Sequence, residues 1–281
     1  MRRSHRPAER CAMKARIGFI GVGEMGFPMA KRLINADHKL YVFDMVKEPL
    51  LTLQNAGAEI GGSAKEVAEK SEMVIVMVRT TAQAESALSG DRGVLAGAPR
   101  GSTILLMSTI DPFVVKKLAG LAKERGVDFL DAPVSGAKQG AEAGTLTVMV
   151  GGVEDVFRKC KPIFDVLGKN IFYLGDIGMG ESAKLVNNLL LLVNMCAAYE
   201  AMALAIKAGV KMDVLFNLIK VSTGNSWVIE HWDMVTSWKD NYKPGGTLDL
   251  VYKDINLTLD LGENLKVPLY LSSLAKQLLR Y

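Results

Sequence analysis

The chain is poor in the residues that carry metal and nucleophilic chemistry, with three cysteines and three histidines in 281 residues. Cys11, Cys160 and Cys196 have no metal-type spacing and cannot all pair within the chain. That excludes a disulfide scaffold and leaves reduced thiols of a cytoplasmic protein as the simple reading. His5, His38 and His231 have no nucleophile or ligand partner beside them in sequence, so no metal is expected. Charge of one sign is also scarce. Of the formal net charge of +4, residues 1–12 account for +3, through Arg2, Arg3, Arg6 and Arg10 against Glu9, which leaves +1 for the rest. A near-neutral body has no electrostatic footprint for tracking nucleic acid. The Arg-rich head lacks the apolar core of a secretory signal and is short for a transit peptide, so residues 1–13 read as a flexible extension. Long apolar runs are nearly absent. The one stretch with the length of a bilayer span, Leu185 to Ile206, contains Asn187, Asn188, Asn194 and Glu200. These groups are costly in lipid and easily satisfied inside a protein, so no membrane partner is expected.

What the chain does contain is apolar material, 49% of residues against 23% charged. That is enough to build a core and to exclude general disorder. The length suggests two domains. From Arg16 to about Tyr173, short runs (RIGFI, LYVFD, MVIVMV, STILLMS, VDFLDA, LTVMV, IFYLG) alternate with amphipathic stretches at 24–36, 47–56, 63–70, 112–125 and 154–167. Such alternation predicts an α/β fold, a Rossmann-type doubly wound parallel sheet covered on both faces. Ser63 with Glu66 has the pattern of a capping box, and Asp111 before Pro112 that of an N-cap. After Gly175 the strand signal stops. From Glu181 to Ala208 there is neither Gly nor Pro, which predicts a continuous helix of about 42 Å at 1.5 Å per residue. Further helices are expected over 213–220, 227–238 and 248–261. The expected domains are therefore 14–177, binding a nucleotide, and 178–281, an all-α domain joined through the long helix.

Three glycine-rich segments carry the chemistry. Gly21-Val22-Gly23-Glu24-Met25-Gly26 lies between a strand and a helix, with Asp44 at the end of the second strand, 23 residues beyond Gly21. That context specifies a dinucleotide fingerprint: a tight turn at Gly21, backbone approach to the pyrophosphate at Gly23, and close helix packing at Gly26. A carboxylate at Asp44 suits a ribose 2′-hydroxyl and repels a 2′-phosphate, so NAD is expected, with NADP possible because Lys47 stands nearby. The second segment, Asp131 to Thr145, is a loop dense in small residues; it suits a small anion such as a carboxylate, or is merely a tight connection. The third, Gly175 to Gly180, opens the long helix and places Lys184 in its first turns with Asn188 four residues on, on the same face. The positive end of the helix, burial and a neighbouring nicotinamide cation all disfavour an ammonium there and favour proton transfer, although a lysine at such a position is commonly a surface residue.

Together, FIGVGEMGFPMAKRL, DAPVSGAKQGAEAGTLTVMVGG, GMGESAKLVNN and YKD resemble the β-hydroxyacid dehydrogenase family from Lys14 onward. The resemblance implies hydride transfer between NAD(H) and a small 3-hydroxy acid or semialdehyde carboxylate. Lys184 would be the catalytic lysine and Asn188 its partner, with Ser135, Gly136, Ala137 and Asn187 on the substrate. It also places Val22, Glu24, Met25, Val78, Arg79, Thr109 and Lys253 on the cofactor, and implies a homodimer or homotetramer. Ala137 replaces a frequent third glycine of the substrate loop, while Lys138 and Gln139 are similar to the glyoxylate and succinic semialdehyde reductase branch, an NADPH-preferring alternative. A non-catalytic dinucleotide-binding scaffold is the alternative of another class, and Lys184 argues against it.

Overall fold

Strand β1 (Arg16–Ile20) alternates its side chains between two apolar layers: Ile17 and Phe19 enter one core and Ile20 the other. A strand buried on both faces belongs in the middle of a sheet. The computed structural model describes residues 14–237 and 248–280, so the expected extension over residues 1–13 and Trp238 lie outside the described residues. The chain divides into two compact units after Glu181.

In the first unit, β2 (Lys39–Phe43), β3 (Glu59–Ile60), β4 (Met73–Val76), β5 (Thr103–Leu106) and β6 (Asp128–Asp131) join β1 in parallel, in the order β3-β2-β1-β4-β5-β6. Helices α1 (Gly26–Asn35), α2 (Lys47–Asn55) and α7 (Glu154–Leu167) bury Met29, Leu33, Leu53 and Phe164 on one face. Helices α3 (Ala64–Glu69), α4 (Thr81–Ser89) and α5 (Pro112–Glu124) bury Val67, Leu88 and Leu118 on the other. The sheet is parallel through β6, as expected; beyond it β8 (Leu146–Gly152) is antiparallel to β6 and to the short β7 (Val134–Ser135), and β9 (Gly168–Tyr173) runs parallel to β8. The β6-to-β8 connection is taken up by β7, which pairs antiparallel with β8, and by a short helix over 137–143, so the chain returns antiparallel to β6.

Asp111 caps α5 as expected, accepting from Phe113 N at 2.8 Å. The capping box at α3 is half formed. Ser63 Oγ accepts from Glu66 N at 3.2 Å, but the Glu66 carboxylate reaches back to Gly62 N, at 2.8 Å, and not to the N-cap itself. Helix α4 escaped the periodicity because it buries just Ala84 and Leu88; its signal was the capping box of Thr80 and Gln83. Arg32 of α1 ties three helices together, donating to Val166 O of α7 at 2.9 Å and to Glu142 O of α6 (Ala137–Ala143) at 3.1 Å. Cys160 is wholly buried on α7, and burial pushes its thiol up to about 12, so it stays protonated and inert.

The second unit is helical: α8 (Met179–Lys207), which begins in the first unit, α9 (Met212–Lys220), α10 (Trp227–Glu230), α11 (Trp232–Thr236), α12 (Leu248–Asn264) and α13 (Tyr270–Leu278). The helix expected over 227–238 is broken at His231, whose ring stacks on Trp227 at 4.3 Å with Nδ1 3.0 Å from the Trp227 carbonyl. Two cores form on α8. One gathers Met202, Phe216, Ile229 and Trp232, and the other Leu192, Ile255 and Ala275. Among the described residues α8 is the one helix long and apolar enough to cross a membrane, and 17% of its apolar window is buried.

Candidate active site

A first group of candidate residues lies at the carboxyl ends of the parallel strands. Gly21 turns at φ +89°, where its N–H donates to Phe43 O at 3.0 Å and a Cβ would run into Met77 O. A Cβ on Gly26 would run into Gly21 O, whereas one on Gly23 would meet nothing within 4 Å. The three glycines therefore serve different ends. Two close the backbone on itself, and Gly23 faces open space that a side chain would fill, which is the opening a pyrophosphate needs at a helix start. Val22, Glu24 and Met25 complete this turn. The residues present fit a dinucleotide.

Asp44 does more than face a ribose. Its Oδ2 accepts from Val22 N at 2.7 Å and its Oδ1 from Val46 N at 2.9 Å, joining the glycine turn to the end of β2. It does not cap α2, whose N-cap is Val46. Each oxygen keeps a further lone pair for a hydroxyl. Asp44→Ala is expected to lower the NAD-over-NADP preference in kcat/KM by tenfold or more and to cost about 1 kcal/mol of stability through the part-buried Val22 N–H, the Val46 N–H being exposed to water. Parallel kinetics with both cofactors and a melting curve check this; an unchanged cofactor ratio would remove Asp44 from the discriminating role.

Val78 and Arg79 form the turn after β4, and Thr109 follows β5. Val78 N donates to Ser108 Oγ at 2.8 Å, which stitches the two turns together beside the glycine turn, while Arg79 N donates to Gln83 Oε1 of α4 at 2.9 Å. The small-residue loop is more ordered than its composition suggested: Ser135 pairs with Thr147 in the β7–β8 ladder and α6 begins directly after Gly136. Gly136 sits at φ +131° and Ala137 at φ +53°. The left-handed backbone at Ala137 explains why glycine suits that place, since a Cβ there costs about 1–2 kcal/mol.

Just before this loop, the wholly buried Asp131 accepts from Gly178 N at 2.7 Å through Oδ1 and from Glu181 N at 2.9 Å through Oδ2. Burial pushes its carboxyl up from the ordinary value, against these N–H groups and that of Gly180, which favour the charged form. The start of the long helix is therefore not a bare positive dipole: Asp131 occupies it, and Glu181 is fully buried in the first turn.

A second group of candidate residues lies in the helical unit. Lys184 and Asn188 are 8% and 6% exposed, one turn apart on α8. Asn188 donates Nδ2 to Asp254 Oδ2 at 2.7 Å and accepts from Asn187 Nδ2, at 3.1 Å, while Asn187 itself is exposed. Lys253 Nζ stands 3.0 Å from Asp254 Oδ1. Asp254 is thus the residue that sequence reasoning passed over, although it ends the YKD segment. Its signal was position: on α12 it lies four residues before the buried Thr258, whose Oγ1 donates to Asp254 O at 2.9 Å.

Comparison with known proteins bears on this geometry. Residues 16–175 match the NAD binding domain of 6-phosphogluconate dehydrogenase, and residues 178–281 match the NAD-binding domain of NADP-dependent 3-hydroxyisobutyrate dehydrogenase. The chain is 38% identical over 263 residues to the 2-(hydroxymethyl)glutarate dehydrogenase of Eubacterium barkeri, covering 94% of this chain and 87% of that one. The chain belongs to the β-hydroxyacid dehydrogenase family. Human mitochondrial 3-hydroxyisobutyrate dehydrogenase is also 38% identical, over 275 residues, with 96% and 82% covered. A Mycobacterium tuberculosis 3-hydroxyisobutyrate dehydrogenase structure with L-serine superposes at a TM-score of 0.88 and 32% identity, covering 95% of this chain and 93% of that one. As a family member the chain is an NAD(P)-dependent oxidoreductase acting on CH–OH donors, with NAD as cofactor and NADP possible.

Proposed function

We propose that this enzyme transfers a hydride between NAD(H) and a small 3-hydroxy acid, or the matching semialdehyde carboxylate, with Lys184 as general acid/base. The observation that carries the reading is a buried amine one helical turn from Asn188, an amide held in one orientation by Asp254 and Asn187. A buried lysine amine suits a role in proton transfer. In the oxidising direction Lys184 takes the hydroxyl proton as the C–H bond breaks, and in the reducing direction it returns that proton to the carbonyl oxygen. NAD supplies the hydride acceptor at C4 of its ring. Ser135, Gly136 and Ala137 hold the carboxylate, so that orientation supplies much of the acceleration. Asn188, with one amide hydrogen committed to Asp254, presents the other toward substrate, and Asn187 flanks it.

The similar proteins support a substrate class. 2-(Hydroxymethyl)glutarate, 3-hydroxyisobutyrate and L-serine each carry a primary alcohol on the carbon next to a carboxylate-bearing carbon. The test is NADH absorbance at 340 nm with NAD and with NADP over a panel of 3-hydroxy acids, run also in reverse with glyoxylate and succinic semialdehyde. Oxidation of a hydroxymethyl acid with NAD is expected. NADPH-dependent reduction alone would favour the reductase branch, and a melting shift with NAD without any turnover would favour a scaffold. The same reading makes the enzyme a cytoplasmic homodimer or homotetramer without nucleic-acid or membrane partners, supported by the exposed Val186, Leu190 and Leu204 on α8; light scattering of the purified protein would show a monomer if it is wrong.

A further inference from the structure

We propose that Asp131 is a positioning residue for this reaction: its carboxylate fixes to the end of β6 the first turn of α8, the helix that carries Lys184. The inference rests on the proposed role of Lys184.

Asp131 closes β6, pairing with Gly151 of β8, and the backbone then runs through Ala132 and Pro133 into β7. Both neighbours are held: Ala132 N donates to Leu106 O at 2.7 Å, and Met149 N to Pro133 O at 3.0 Å. On this rigid strand end, the two carboxylate oxygens are divided between Gly178 N and Glu181 N. Two of the N–H groups a helix start leaves without intrahelical partners are therefore satisfied from the sheet. Glu181 is three residues from Lys184, so a shift of the first turn carries the amine with it.

Packing leaves no slack at this junction. A Cβ on Gly151 would lie 2.6 Å from Asp131 Oδ1 and 2.9 Å from Gly180 N, and one on Gly180 would run into Met149 O. Glycine at both places lets strand and helix start approach closely enough for one short side chain to bridge them. The Asp131 carboxylate bonds to the start of α8, so its loss is expected in turnover rather than in cofactor affinity.

Asp131→Asn keeps the shape but replaces one acceptor with an N–H facing an N–H. In the full-length enzyme, kcat is expected to fall at least tenfold, the scale on which small misplacements act. The NAD dissociation constant stays within twofold, and amide exchange accelerates over 176–184 but not over 16–43. If that variant does not fold, Gly180→Ala perturbs the same junction without changing any charge and is expected to give the same split. A kcat within twofold of wild type in a folded variant, or a loss appearing in NAD affinity instead, overturns the inference. If wild type oxidises no hydroxy acid, the proposed function has failed separately. The exchange pattern over 176–184 then decides by itself whether Asp131 holds the helix start, and unchanged protection there overturns it.

Discussion

Replacing Lys184 with alanine is expected to lower kcat by on the order of 10²-fold or more, the usual contribution of a positioned acid or base. The dissociation constant for NAD should stay nearly unchanged. The reasoning is that the chain has invested in burying this amine: 8% of Lys184 is exposed, on a helix whose next turn is fixed by the Asn188–Asp254 contact. Burial of an ammonium stem for packing alone would give a different result, namely a lower melting temperature with kcat nearly intact. Stopped-flow and steady-state rates beside a melting curve separate the two. Exogenous primary amines offer a second readout, because a small amine that restores turnover to the variant reports a missing proton carrier rather than a distorted fold.

The second large effect is expected in the glycine turn, where two substitutions of the same size should fail in opposite ways. Gly23→Ala places its methyl in space that no protein atom occupies. Its melting temperature should match wild type while NAD affinity drops at least tenfold, about 1.4 kcal/mol. Gly26→Ala forces a methyl against Gly21 O and the Phe19 ring. Overpacking of that kind costs about 1–3 kcal/mol, so this variant should melt earlier even without cofactor. Isothermal titration and calorimetry on both proteins check the contrast. Equal loss of stability in the two would mean that Gly23 serves the fold and not the ligand.

Much of the α/β unit was legible because strands buried on both faces announce themselves as unbroken apolar runs, as Met73–Val76 does. What escaped was short or weakly patterned. Strand β3 has two residues and β7 has two, below any period, and α4 is built on alanines and a capping box. In the site, glycines and the lysine were readable from spacing because their chemistry is local. Asp131 and Asp254 were not. Each acts on a partner 47 or more residues away, and a carboxylate's partner across that distance leaves no trace in its own neighbourhood. Asp131 also reverses part of the electrostatic argument for Lys184, since an anion seated on the helix start offsets the positive end that the sequence reading relied on.

The Asp254 carboxylate serves two neighbours at once, one through each oxygen, and this has a bearing on how Asn188 and Lys253 can be studied. Take away either neighbour and the acid is free to turn toward the survivor, so each single deletion is partly repaired. Deleting both removes the means of repair. Their joint penalty should then exceed the sum of the separate ones, and a thermodynamic cycle built on the pair would register the shared anion as a coupling that neither residue owns.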